Sequence, residues 1–215
     1  MVQSDVSSKV RHFFAQYPAK KYKKGDLILQ PEDVTGVFYL QKGYVREYGM
    51  SSLGIEVGLH IFMPFSYFPL TWVIADVPNR YYYEALTDAQ IYKAPKNITL
   101  SFLKNNPDVL FDLTKRVFMG LDKLTSRLEY LSYAKAYKKV ISILFYLARH
   151  FGEEKRGKIY IKHKFSHRDI GSFAGVSRET ASREWEKLVH KEIIGYVDKY
   201  IVIFDAKKLK EEMMS

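Results

Sequence analysis

Over residues 22–95 apolar positions alternate with polar ones or gather in short runs, in DLILQ, GVFYLQKGYVREYG, GIEVGLHIFM, RYYYEALT and AQIYKAP. Gly25, Gly36, Gly43, Gly54, Pro64, Pro69 and Pro78 fall between them. Short β-branched and aromatic segments separated by turn residues predict an antiparallel sandwich or barrel. A short helix over about residues 8–16 is expected ahead of it. After Pro107 the period changes. Leu110, Thr114, Val117, Leu121, Leu124, Leu128 and Leu131 follow steps of 4, 3, 4, 3, 4 and 3, an a/d seam sustained over three heptads. Such a seam calls for a partner helix, and a homodimer is expected. Phe111 and Phe118 form a second stripe, expected to pack on the β domain; the other reading makes both stripes intramolecular core.

A further helix is predicted over residues 136–150, through Val140, Ile141, Leu144, Phe145 and Leu147, ending at Gly152 in a charged turn, GEEKRG. The strand KIYIKH follows. The remainder, FSHRDIGSFAGVSRETASREWEKLVHKEIIGYVDKYIVIFD, parses as helix, turn, helix and β-hairpin. Ser166 with Asp169 three residues on has the capping-box spacing, and Ser177 suits the N-cap of the next helix. Gly171 allows two helices to approach, and Gly175 suits a left-handed turn position. With Ala181, Trp185 and Leu188 as the inward stripe of the second helix, Arg178, Glu179, Ser182 and Arg183 face outward.

Composition narrows the function. A chain of 215 residues, 47% hydrophobic and 15% aromatic, can bury a full core. Its lack of cysteine excludes disulfides, thiolate zinc sites, iron-sulfur clusters and Cys nucleophiles. No apolar run is long enough to span a membrane and no secretory signal core stands at the N-terminus, so a cytoplasmic protein without membrane partners is expected. No nucleophile-elbow, Walker or zinc-protease pattern occurs and no acid pair stands out, which argues against an enzyme. The net charge of +10 favours a polyanionic partner. Residues 137–215 hold 17 Lys and Arg against 11 Asp and Glu, so the basic excess is denser at the C-terminal end.

An outward Arg-Glu-Arg set at the start of a helix suits the major groove of double-stranded DNA. Arginine can pair bidentately with guanine O6 and N7, and glutamate can accept from cytosine N4. Arg178, Glu179 and Arg183 are the candidate base readers. Ser166, Ser177 and the amides of the helix N-terminus, with Lys187, Lys191 and Lys199, are candidates for phosphate.

The stretch HRDIGSFAGVSRETASREWEKL resembles the helix-turn-helix signature of the Crp/Fnr family of bacterial transcription regulators, with His167 where the signature has arginine. The order of segments also resembles the family, and KGD at 24–26, VFYLQKGYVREY at 37–48 and GIEVGLHIFMP at 54–64 match its strand-and-turn pattern. The resemblance implies an α+β chain: an N-terminal antiparallel, jelly-roll-like β-roll over residues 1–107, a long dimerisation helix over 108–134, and a C-terminal winged helix over 135–215. It implies a homodimeric, sequence-specific DNA-binding regulator that works with RNA polymerase. By the same resemblance Arg178, Glu179 and Arg183 read bases with Ser182 as a further candidate, and the R-E-x-x-x-R arrangement implies TGTGA-like half-sites in inverted repeat, with Ser182 leaving one position open. A ligand-binding or protein-interaction module whose winged helix docks to protein is the alternative, and the charged outward set argues against it.

Members of the family that bind cyclic AMP carry a Glu and an Arg in a short cassette. The corresponding stretch is FMPFSYFPLTWVIADVPNRYYYEALT, with Ser66, Tyr67, Phe68 and Pro69 in place of the Gly-Glu part and Arg80 as the arginine nearby. The resemblance therefore implies that cyclic AMP does not bind in the usual way, and no cofactor is expected. The aromatic concentration, with Phe65, Tyr67, Phe68, Trp72, Arg80 and Tyr82 as the candidate effector pocket, either lines a site for an apolar effector or fills it. His60 stands alone on a strand and reads as a structural histidine rather than a haem ligand. The Lys20, Lys21, Lys23 and Lys24 run reads as a solvated face.

Overall fold

Helix α1 (Val2–Ala15) begins the chain in this computed structural model, earlier than the expected 8–16. The cause lies in Val6, Val10, Phe13 and Phe14, which recur at helical spacing and are all buried. The structure describes residues 2–52, 54–133 and 135–214, with side chains at all of these except 2–5, 123 and 126–133. Eight strands follow α1: β1 (Ala19–Tyr22), β2 (Leu27–Leu29), β3 (Val37–Lys42), β4 (Val45–Met50), β5 (Glu56–Phe62), β6 (Tyr67–Phe68), β7 (Tyr82–Ala85) and β8 (Ala89–Ala94). They form two antiparallel sheets, ordered β1-β8-β3-β6 and β2-β7-β4-β5. A short helix α2 (Leu70–Ala75) interrupts them between β6 and β7, and α3 (Lys96–Asn105) precedes the long α4 (Pro107–Tyr133).

Two apolar cores result. One gathers α1 with Val37, Tyr39, Tyr67, Leu103, Val109 and Leu113, where Phe14 stacks on Tyr39 with centroids 4.8 Å apart. The other includes Phe38, Leu40, Val45, Phe68, Tyr83, Ala85 and Ile91 from both sheets. Each fully buried ring of this kind stabilises the fold by roughly 1.5–3 kcal/mol in transfer alone.

Helix α4 corrects one expectation. Phe111 and Phe118 do not pack on the β domain; they are 73% and 65% exposed, and Val109 and Leu113 enter the core instead. Phe111 lies two residues beyond Val109, roughly 200° around the helix, so only one of the two can face inward. Leu110, Val117, Leu121 and Leu124 of the seam are exposed. The Thr114 hydroxyl donates to the Leu110 carbonyl at 2.8 Å. The side chains of Leu128 and Leu131 lie outside the described residues.

The chain divides into two units, Met1–Lys123 and Leu124–Ser215, within α4. The second unit holds α5 (Ala136–Phe151), β9 (Gly152–Lys155), β10 (Lys158–Ile161), α6 (His167–Ala174), α7 (Arg178–His190), β11 (Ile194–Val197), β12 (Tyr200–Ile203) and α8 (Ala206–Met214). Its sheet order is β11-β12-β10-β9. GEEK, read from sequence as a charged turn, is strand β9: Lys155 pairs with Lys158 across Arg156 and Gly157, both at positive φ (52° and 74°), a primed hairpin turn.

Candidate nucleic-acid interface

Local sequence builds the two-helix frame. Ser166 Oγ accepts from the Asp169 amide at 3.2 Å, while the Asp169 carboxylate accepts from the Ser166 amide at 2.8 Å, closing a capping box at the start of α6. The helix ends on Gly175 in the left-handed region, φ 64°. A Cβ on Gly171 would stand 2.9 Å from the Val176 carbonyl oxygen, so a side chain there would push the inter-helix turn away. Ser177 caps α7, its Oγ accepting from the Thr180 amide at 3.1 Å. Ile170, Phe173, Ala174, Ala181, Trp185 and Leu188 are buried in this unit, as are Val140, Ile141, Leu144 and Leu147 of α5.

Packing of that stripe leaves the opposite side of α7 open. Arg178, Glu179, Ser182, Arg183 and Glu186 line a single shallow concavity on it. The four candidate base readers are thus brought together, Arg178, Glu179 and Arg183 exposed and Ser182 half-buried. The Glu179 carboxyl is held below the usual carboxylate range, first by its own backbone amide and then by the Ser177 hydroxyl and Arg178. It is an anion at neutral pH, able to accept only.

Several contacts were not legible beforehand. Glu184 is 4% exposed yet charged: its Oε1 accepts from Arg183 Nε at 3.3 Å and its Oε2 from Lys187 Nζ at 2.5 Å. Burial pushes its carboxyl up, but Lys187 and Arg183 outweigh burial and hold it below its ordinary value. The sequence does carry a signal, because Glu184 falls within the inward stripe formed by Ala181, Trp185 and Leu188, where a charge needs a partner. Ser182 Oγ lies 3.0 Å from His167 Nδ1.

The candidate phosphate ligands are scattered. The Ser166 and Ser177 hydroxyls are engaged in caps, so a phosphate at these ends would meet backbone amides first. Lys187 is bound to Glu184. Lys191 Nζ donates to both Glu212 oxygens at 2.7 Å and sits over the Tyr137 ring at 5.4 Å, while the Tyr137 hydroxyl donates to Glu212 at 2.9 Å. Lys191 is therefore a bracing residue between α5, α7 and α8. Lys199 is exposed at the β11–β12 turn, where Asp198 and Lys199 both have positive φ.

The six residues expected to share an effector pocket do not come together. Strand alternation sends Tyr67 and Phe68 to opposite faces. Tyr67 enters the α1 core and Phe68 the core between the sheets; Tyr82 stacks on Tyr48 at 5.2 Å on the face opposite Tyr83. Trp72 lies against the α1 core beneath Lys96, and Phe65 and Arg80 are exposed. Between the sheets Phe68 stacks on Tyr83 at 4.9 Å and packs on Phe62 at 4.8 Å. Glu47 accepts from the Tyr83 hydroxyl at 2.8 Å, and burial pushes its carboxyl up. His60 is exposed, its ring edge-on to Phe62 at 4.6 Å.

Comparison with known proteins agrees with this geometry. The Crp-like helix-turn-helix domain matches residues 138–212 and the cyclic nucleotide-binding domain matches residues 19–106. A global nitrogen regulator of Nostoc sp. is 25% identical over 185 residues, covering 85% of this chain and 83% of that one. Among solved structures, a CRP/FNR-family transcriptional regulator of Thermus thermophilus superposes with a TM-score of 0.75 at 24% identity, covering 92% of this chain and 99% of that one. The c-di-GMP responsive global regulator CLP of Xanthomonas campestris gives 0.81 at 16% identity, covering 93% and 100%. No helix among the described residues is long and apolar enough to cross a membrane.

Proposed function

The chain belongs to the Crp/Fnr family of DNA-binding transcription regulators, and we propose that it acts in the cytoplasm as a homodimer that reads a TGTGA-like inverted repeat. The observation that carries this reading is the set Arg178, Glu179, Ser182 and Arg183 around one concavity of a helix capped by Ser177 and packed through Ala181, Trp185 and Leu188. Arg178 and Arg183 pair with guanines and Glu179 with a cytosine on the opposite strand. Backbone amides at the N-termini of α6 and α7, with Lys187 and Lys199, meet phosphate and give no sequence preference. The exposed leucines of α4 form the seam between subunits, which sets the two half-sites about one helical turn apart. On this reading RNA polymerase is the further partner, as the family resemblance implies.

The same proposal holds that cyclic AMP is not the effector. The residues present do not fit it: Ser66, Tyr67, Phe68 and Pro69 stand where a ribose-binding Glu would be, Arg80 faces solvent, and Phe62, Phe68 and Tyr83 occupy the space between the sheets. DNA binding then proceeds without a nucleotide, or with an apolar effector that displaces these rings.

Selection of bound duplexes from a random pool tests the reading. Wild type is expected to enrich an inverted repeat, and Arg178→Ala to relax one G·C pair per half-site at a cost of about 1–3 kcal/mol each. A wild-type pool without palindromic enrichment, or an unchanged motif in the variant, refutes the base-reading role.

A further inference from the structure

His167 occupies the signature's arginine position, and base reading as described gives it no part. Its ring is nevertheless held at three points. Nδ1 lies 3.0 Å from the Ser182 hydroxyl, Nε2 lies 3.4 Å from the Tyr196 hydroxyl, and the ring packs on Trp185 at 5.3 Å. Trp185 in turn stacks on Tyr196 at 5.3 Å, so helix α6, helix α7 and the β11–β12 hairpin all fix the imidazole. Ser182 borders the concavity that holds the other base readers.

We propose that His167 is a specificity-determining residue acting through Ser182: when the imidazole is charged, Ser182 becomes a hydrogen-bond donor toward DNA, and the base facing it must offer an acceptor. The inference rests on Ser182 reading a base. A serine hydroxyl has a single proton and can also accept. With a neutral ring two arrangements exist. If the proton is on Nε2, Ser182 donates to Nδ1 and shows only lone pairs to the groove. If it is on Nδ1, the ring donates to Ser182, Tyr196 donates to Nε2, and the serine proton turns outward. Ser182 then serves either kind of base edge. With a charged ring both nitrogens donate, Tyr196 and Ser182 both accept, and the serine proton turns to the groove or to the Arg178 carbonyl one turn back, where a base acceptor competes for it. Guanine O6 or N7, thymine O4 and adenine N7 satisfy it; cytosine, which shows only its amino group, does not.

The surroundings set when this happens. Burial holds the ring below the ordinary imidazole value; Glu186 on α7 opposes that shift and Arg178 on α7 adds to it. Tyr196 on β11 faces it as a neutral phenol, its own hydroxyl pushed up by burial. The free protein therefore carries a neutral ring at pH 7, and phosphates drawn close by binding favour the charged one.

The test is duplex selection at about pH 7.5 and about pH 5.5, on either side of the ordinary imidazole range, with wild type, Ser182→Ala, His167→Phe and His167→Asn. The informative pair is the one whose preference Ser182→Ala erases. There, wild type is expected to move away from cytosine at low pH by about five- to tenfold per half-site, a hydrogen bond's worth of discrimination, relative to the pairs read by the arginines. Neither His167 variant should show that shift; the asparagine keeps a polar group without a charge, in case the phenylalanine repacks. The inference is overturned if the wild-type preference at that pair is the same at both pH values, or if the shift persists in either variant. If Ser182→Ala erases no pair, Ser182 reads no base and the inference falls, while a response to Arg178→Ala keeps the rest of the interface standing.

Discussion

Replacing Glu184 with glutamine separates two accounts of why a charged residue is buried in α7. The Glu184 side chain is 5% exposed and its partners Arg183 and Lys187 are 68% and 53% exposed. Glutamine keeps the volume and removes the charge. The fold should notice little, because pairs this exposed on one side contribute about 0–1 kcal/mol and the carboxylate no longer bears a desolvation cost. Specific DNA binding should notice more. Arg183 uses Nε on Glu184, which leaves its two terminal nitrogens aimed outward for a guanine. Without that hold the arginine must be immobilised on binding, at about 0.5–1.5 kcal/mol per half-site, or about 1–3 kcal/mol for a dimer, which is about 5- to 150-fold in Kd. Nonspecific binding should move the other way, since the exposed Arg183 and Lys187 lose their anionic partner and are freed for phosphate. Fluorescence anisotropy on the selected palindrome and on a scrambled duplex, with thermal melts of the free protein, reads all three effects. A variant that keeps the wild-type ratio of palindrome to scrambled affinity would refute the positioning role. A gain on both duplexes alike would leave Glu184 as no more than a local charge. The carboxyl is held below its ordinary value in the folded protein, so its contribution is present at neutral pH and lost as pH falls through that lowered value.

Leu121 and Leu124 are 57% and 48% exposed; replacing both with Lys should convert a dimer to a monomer by light scattering, and a monomeric wild type would refute the seam. Calorimetry at millimolar cyclic AMP should give no saturable heat, and DNA affinity should not change with added nucleotide; tight binding would refute the filled-roll reading.

What the sequence made legible was short-range. The capping box at Ser166, the left-handed Gly175 and the Ser177 cap each depend on residues no more than four apart, so residue identities alone specify them. The period change at Pro107 marked the long helix for the same reason. Choosing the buried stripe of that helix needed the rest of the core. Val109, Leu113, Phe111 and Phe118 are all apolar, so hydrophobicity alone does not choose between the pairs; the core built with α1 and α3 takes Val109 and Leu113. Strand β9 was illegible because GEEK has no apolar alternation. Its extended form comes from pairing with β10 across a tight turn.

Crowding in sequence misled most where strands are involved. Phe65 to Tyr82 read as one aromatic cluster, yet successive residues of a strand point to opposite faces, so Tyr67 and Phe68 enter different cores, as Tyr82 and Tyr83 face different sides. The alternation has a functional consequence. Phe68 and Tyr83, facing each other from different sheets, meet in parallel stacking inside the roll, which is why a segment rich in pocket-like residues supports filling rather than lining. On helix α7 the reverse holds. There the residues of interest are neighbours both in sequence and in space, so the outward set could be named from spacing alone. Its supports could not: His167 is 15 positions from Ser182, and Tyr137 is 75 from Glu212. The side chains that would touch DNA are thus local, while of those that aim them Glu184 is adjacent to Arg183 and His167 is distant from Ser182, and variants of the distant kind are where sequence comparison by motif alone would predict no effect.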